Sequence, residues 1–252
     1  SSMGTALEKR QFQVHFQPKF DVKSNKPYGA EALVRWIDPE KGMIFPGDFI
    51  PIFERNGFIS KLDFYVWDCV CQNISKWNSQ GKTPMPVSVN VSRVNLYNPN
   101  LVDVFLELIK KYNIPAWQLN LEITESAYTQ NTELVLQTTE KLQKNGFVVM
   151  MDDFGNGYSS LNILKNIPVD VLKIDTKFLP EKNDIRAERI LASVIKMAKC
   201  IGIPVIMEGV ETKEQTSFLE SLDCDYIQGY YFARPMPLEE YEDLMSLQCL
   251  DK

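Results

Sequence analysis

The stretch that decides the fold is "FQVHFQPKFDVKSNKPYGAEALVRW", Phe12–Trp36. Two runs of strand character, "FQVHFQP" (Phe12–Pro18) and "YGAEALVRW" (Tyr28–Trp36), stand on either side of "DVKSNKP". That link holds turn formers and is too short for a crossover helix, so the pair reads as an antiparallel hairpin. Beyond it the rhythm changes. Six more apolar runs follow: Pro86–Ser92, Leu119–Ser126, Phe147–Gly155, Val169–Asp175, Pro204–Val210 and Asp225–Phe232. Between most of them lie stretches with apolar residues at three- and four-residue spacing: Lys61–Gln80, Leu101–Tyr112, Thr132–Lys144 and Glu188–Cys200. That spacing predicts amphipathic helices. Asn145-Gly146 reads as a C-cap, and shorter helices are expected after Ser159, Thr212 and Pro237. Strands alternating with helices imply a mainly parallel sheet. Eight such units in 252 residues match one α/β domain over 1–252, a TIM-like (β/α)8 barrel modified by one antiparallel strand. An open doubly wound sheet is the alternative, but no G-x-G-x-x-G follows the first strand. Residues 1–4, "SSMG", read as a cloning remnant.

Composition narrows the function. A net charge of −6 and the absence of a basic run argue against a nucleic-acid duplex as partner. The five cysteines (Cys69, Cys71, Cys200, Cys224, Cys249) are odd in number and form no C-x-x-C. They read as reduced thiols in a cytoplasmic domain, whose full-length parent could still be membrane-tethered. His15 is the only histidine, which argues against histidine-rich zinc sites. It lies mid-strand between phenylalanines at alternate positions and reads as structural.

In barrels of this kind, chemistry sits at the C-terminal ends of the strands. There the sequence places Glu31 and Arg35, Asn90, Glu122 and Glu125, Asp152 and Asp153, Lys173 and Asp175, Glu208 and Glu211, and Gln228. Asp175 reads as a structural partner for backbone. "VVMMDD" ends a buried strand on two adjacent carboxylates, which repel each other unless a cation lies between them. If the strand stays regular, the two point to opposite faces, so it must end or twist at the pair, and Phe154-Gly155 offers the freedom. The donors are all oxygen, without Cys or His, and suit Mg²⁺ or Mn²⁺ over zinc. Such a set fits a two-metal site for phosphoryl displacement.

"EALVRW", "SVNVS", "LEITES", "DDFGNGYSSL", "VLKID", "MEGVET" and "QGYYFARP", in this order, resemble the EAL-domain cyclic di-GMP phosphodiesterases. The resemblance covers about Phe12 to Pro237. It implies a modified TIM barrel that cuts one phosphodiester of cyclic di-GMP to give linear pGpG, with two Mg²⁺ or Mn²⁺ ions. Carried onto this chain, it implies that Glu31, Asn90, Glu122 and Asp152 hold one ion. Asp152 bridges, and Asp153 and Glu208 complete the second site. Lys173 would position the nucleophilic water, with Glu208 and Glu211 also in catalytic roles; as the only basic side chain at a strand end near the proposed ions, Lys173 is also expected to help deprotonate that water. Gln228 and Glu211 would order water around the ions or approach substrate. Arg35 would contact a substrate phosphate, Gln17 would lie near a guanine, and Glu125 would anchor the loop "DFGNGYSS". The family pattern further implies a homodimer coupled to that loop, and an upstream sensory or GGDEF-like domain.

The departures from the family pattern are Asn156, where Thr or Ala is common, Met207, where Ala is usual, and the loose segment "FIPIFERNGFI". Met207 is bulkier and is expected to alter packing beside Glu208. None removes a proposed ligand or the lysine. Two other functions stand beside hydrolysis of cyclic di-GMP. One is a catalytically inactive domain that binds the dinucleotide as a receptor or docks a protein. The other is a two-metal hydrolase of a different phosphodiester.

Overall fold

The computed structural model describes residues 2–82, 85–155, 164–181 and 184–247. Its core is a closed eight-stranded barrel. The strands are β1 (Phe12–Asp21), β2 (Pro27–Asp38), β4 (Val87–Asn90), β5 (Leu119–Thr124), β6 (Val149–Phe154), β7 (Val171–Ile174), β8 (Val205–Met207) and β9 (Tyr226–Ile227). β1 pairs antiparallel with both β2 and β9, and every other pairing around the barrel is parallel. The hairpin expected from the short link is therefore present, and it supplies the one reversed strand. A further strand, β3 (Gly42–Ile44), extends β2 outside the barrel and was not foreseen. Three residues are too few to show alternation.

Helices Leu101–Tyr112 (α5) and Thr132–Lys144 (α7) have the expected bounds. α3 (Ile59–Ser79) and α8 (Ile185–Cys200) begin two and three residues earlier than their apolar spacing suggests. α9 (Lys213–Ser221) and α10 (Leu238–Leu247) follow Thr212 and Pro237 as expected. Of the segment after Ser159, residues 164–166 are described, and they are helical. Four helices escaped the sequence: α1 (Ser2–Glu8), α2 (Pro46–Asn56), α4 (Arg93–Leu96) and α6 (Glu125–Gln130). α2 carries Pro51 inside it, which reads as a breaker. It survives because Pro46 opens the first turn and Gly57, in the left-handed conformation, closes the last. Residues 2–4, set aside in sequence, belong to α1, and Met3 packs against the cluster of Phe12, Phe49 and Phe53. Among the described residues no helix is long and apolar enough to cross a membrane.

Two apolar layers hold the barrel. Outward-facing residues such as Met151, Leu172 and Val205 join one core with the surrounding helices. Met207 belongs to this layer and is fully buried, so its bulk packs against the helices rather than beside the Glu208 carboxylate. Inside the barrel, Met150, Val171 and Ile206 form a separate cluster with Tyr28, Val148 and Tyr226. Each of Met150, Val171, Ile206 and Tyr226 stands two residues before a polar one: Asp152, Lys173, Glu208 and Gln228. Because strand side chains alternate, this apolar floor fixes those four side chains on the inner face, one layer nearer the mouth.

Candidate active site

The double aspartate is resolved by a bulge. The β6–β7 ladder pairs Met151 with Leu172 and then Phe154 with Ile174, leaving one extra residue on β6. Asp153 takes it up with φ 58°, a left-handed conformation that Asp tolerates better than most residues. The twist thus lies at Asp153 itself, not at Phe154-Gly155 as the flexibility of glycine suggests. It turns both carboxylates to one side, so that oxygens of Asp152, Asp153 and Glu208 all lie within 4.8 Å of one another. Gly155 follows with φ 101°, where a Cβ would overlap the Phe178 ring. Its N–H donates to Glu125 Oε2 at 2.8 Å. Glu125 opens α6 rather than ending β5, which stops at Thr124. The loop from Asn156 onward lies outside the described residues, and with it the loop-coupled dimer and the effect of Asn156.

Lys173 stands at the centre of the mouth and is fully buried. Its Nζ lies 2.6 Å from Glu122 Oε2, 2.9 Å from Glu208 Oε1, 3.0 Å from Asp152 Oδ1 and 3.2 Å from Glu31 Oε2. Burial opposes its charge, but the carboxylates of Asp152, Glu122, Glu208 and Glu31 outweigh burial and hold its pKa well above the ordinary lysine value. It therefore donates hydrogen bonds and does not accept a proton. Asn90 Nδ2 donates to Glu31 Oε1 at 3.2 Å, and Gln228 Nε2 donates to Glu31 Oε2 at 2.7 Å and to Gln17 Oε1 at 3.0 Å. Gln17 Nε2 donates to the Ala233 carbonyl.

The sequence missed Lys19. Its Nζ lies 2.8 Å from Glu122 Oε1 and 2.5 Å from Ser88 Oγ, with 1% of the residue exposed. Reading the last residues of each strand run works only for strands that ascend to the mouth. β1 descends, and its run was closed at Pro18. Also unforeseen is a cleft of about 420 Å³ beside Asn90, whose lining includes Leu33, Asp63, Ser92, Arg93 and Thr124. Asp63, buried there, accepts from the Ser92 N–H and Asn95 Nδ2.

Two expected residues stand apart. Glu211 is exposed, and its N–H donates to Gln215 Oε1 beside the capping box that starts α9. Arg35 lies on the Glu31 face of β2, donates to the Val34 carbonyl and is nearly buried. Burial lowers its pKa, while Tyr230 and Glu31 counteract. Asp175 accepts from the Lys177 N–H, the structural part foreseen for it. It also raises the pKa of neighbouring Asp153, after burial as the larger cause.

The cluster sets five carboxylates (Glu31, Glu122, Asp152, Asp153, Glu208) against two ammoniums (Lys19, Lys173). Only Glu122, clamped by both lysines against its burial, has its pKa lowered. Burial raises Glu31, Asp152 and Asp153, and it pushes Glu208 up to about 8. Asp152 Oδ1 is buried and makes no well-aligned hydrogen bond among the described residues, despite its ion pair with Lys173. Excess negative charge, all-oxygen donors and a poorly satisfied buried oxygen fit hard divalent cations.

The sign of the pH effect follows. Between about pH 4.5 and 8 the folded, metal-free protein carries a proton on Glu208 that the unfolded chain has lost, so stability falls as pH rises through that window. A cation at Glu208 displaces that proton. Calorimetry in buffers of different ionisation enthalpy should find at least one proton released per binding event near pH ~6.5, and almost none above pH ~9. Equal release at both would disprove the assignment.

Fold and site together define a (β/α) barrel with an acidic mouth. The EAL domain profile matches residues 2–235. The bifunctional diguanylate cyclase/cyclic di-GMP phosphodiesterase MucR of Pseudomonas aeruginosa is 35% identical over 236 residues, 93% of this chain and 34% of that protein. Cyclic di-GMP phosphodiesterase NbdA of the same organism is 35% identical over 247 residues, 98% of this chain and 32% of that protein. This chain thus spans about a third of the length of both. The solved structure described as the PaMucR phosphodiesterase in complex with c-di-GMP superposes with a TM-score of 0.90 at 34% identity, covering 95% of this chain and 98% of that one. An EAL domain protein from Listeria monocytogenes gives 0.81 at 29% identity, covering 98% of each chain. This chain belongs to the EAL domain family.

Proposed function

We propose that this chain hydrolyses one phosphodiester bond of cyclic di-GMP to linear pGpG, with two Mg²⁺ or Mn²⁺ ions. The observation that carries the reading is the bulge at Asp153, which aims two adjacent carboxylates at Glu208 beneath the mouth. A strand that merely ended at a turn would have no need of this. Glu31, Asn90, Glu122 and Asp152 would hold one ion, and Asp152, Asp153 and Glu208 the other. Bound there, the ions would neutralise the attacking and leaving oxygens of an in-line displacement.

The chain's own residues supply position. Lys173 donates a hydrogen bond that orients the attacking water. Glu208, half-buried like Asp153, lies 2.9 Å from that lysine and helps to hold the attacking water in place. Arg35 holds a phosphate oxygen, and Gln17 and Gln228, bonded to each other, brace the substrate side of Glu31. Glu125 keeps the turn after Asp153 in place. The exposed Glu211 acts through solvent. Attack at phosphorus breaks the P–O3′ bond, leaving a 5′-phosphate and a 3′-hydroxyl. A receptor-only role is disfavoured because every residue that holds an ion or orients water in this scheme is present. The family pattern, which also implies a homodimer, implies an upstream sensory or GGDEF-like domain, and the relatives' greater length leaves room for further domains.

Turnover should cease in excess chelator and return with Mg²⁺ or Mn²⁺. Ca²⁺ should inhibit, because a larger ion of looser geometry holds the oxygens without aligning them. Full hydrolysis in chelator would overturn the mechanism.

A further inference from the structure

We infer that Lys19 is a positioning residue that sets which divalent ion the site prefers, by keeping one oxygen of Glu122 out of reach. The inference rests on the metal-dependent reading above. Lys19 lies on the reversed strand β1, below the mouth, with 1% of its surface exposed, so it is shut off from solvent. An ammonium has three hydrogens, and Lys19 has three neighbours for them: Glu122 Oε1 at 2.8 Å, Ser88 Oγ at 2.5 Å and Met150 Sδ at 3.9 Å. Ser88 Oγ in turn lies 3.4 Å from the Ala30 carbonyl on β2. The ammonium is thereby held among β4, β5 and β6, which fixes it beside Glu122.

The consequence falls on Glu122. Both of its oxygens meet an ammonium: Oε1 that of Lys19, which no other carboxylate shares, and Oε2 that of Lys173 at 2.6 Å, which Glu31, Asp152 and Glu208 share and from which a cation at the mouth would have to win it. A cation among those groups meets Glu122 through Oε2 alone. Mg²⁺ takes six ligands in tight octahedral geometry and is content with one oxygen from each carboxylate. Ca²⁺ takes six to eight and gains from a carboxylate that offers both. Lys19 withholds the second oxygen and so disfavours Ca²⁺.

Lys19→Met keeps the length and apolar stem but removes the ammonium, which frees Oε1. The lost positive charge strengthens the attraction of Mg²⁺ and Ca²⁺ alike, since both are doubly charged. The ratio of their dissociation constants therefore isolates the geometric effect. The experiment titrates Mg²⁺ and Ca²⁺ separately, by calorimetry, into chelator-stripped wild type, Lys19→Met and Ser88→Ala. Partners that orient a metal ligand typically change affinity about 10–100-fold. In Lys19→Met, Kd for Ca²⁺ divided by Kd for Mg²⁺ should fall about tenfold, the low end of that range. Ser88→Ala, which only loosens the clamp, should shift the ratio the same way by less. An unchanged ratio in Lys19→Met overturns the inference, whether both constants stay put or move together. Should that variant not fold, an unchanged ratio in Ser88→Ala overturns it equally. Wild type that binds neither ion would overturn the metal-dependent reading itself, a result distinct from loss of the Lys19 effect alone.

Discussion

Lys173→Ala is expected to lower turnover by about 10²–10³-fold at saturating metal and substrate, the loss usual for one preorganised donor in an active site. The reason is geometric. Nζ lies within 3.2 Å of four carboxylates and is the one cation at the centre of the mouth among the described residues. Its charge is secure, so it can orient water but not deprotonate it, and the loss should appear in kcat with KM little changed. A second effect separates this role from a passive one. Removing the ammonium leaves buried carboxylates facing each other, and breaking a buried ion pair costs about 3–5 kcal/mol. The metal-free variant should melt early, and added Mg²⁺ should restore its melting temperature without restoring turnover. A variant with near-normal kcat would remove Lys173 from the mechanism.

Asp152→Asn is expected to abolish hydrolysis without lowering the melting temperature of the metal-free protein. Truncating one member of a buried pair is normally destabilising because it strands the other. Here Lys173 retains Glu31, Glu122 and Glu208. Asp152, by contrast, is an anion disfavoured by burial first and then by Glu122 and Asp153, and its Oδ1 lacks an aligned partner. Removing its charge relieves repulsion, in keeping with sites whose function is held at a cost to stability. Its effect on activity should far exceed that of Asn156→Thr, which restores a commoner family residue in the adjoining loop. Early unfolding of metal-free Asp152→Asn would make the aspartate a structural cap and return the double Asp to an ordinary strand end.

The eight strands and the hairpin were legible because alternation and link length are local properties of the chain. The inward set was legible for the same reason: Asp152, Lys173, Glu208 and Gln228 each follow an apolar inner-face residue by two. What stayed hidden depends on relations across strands. Lys19 matters through its distance to Glu122, 103 positions away in sequence, on a strand that runs against the reading direction. The bulge at Asp153 is a mismatch between β6 and β7, visible only once both are paired. Helix α2 hid behind Pro51, because its packing of Phe49 and Phe53 against Phe12 outweighs the local propensity.

The most direct test is to incubate the purified chain with cyclic di-GMP and Mg²⁺ or Mn²⁺ and identify the products by mass and chromatography. Conversion to linear pGpG is expected, absent in chelator and in Asp152→Asn. Cyclic di-GMP that binds tightly yet is recovered intact with either ion would contradict it and make the chain a receptor.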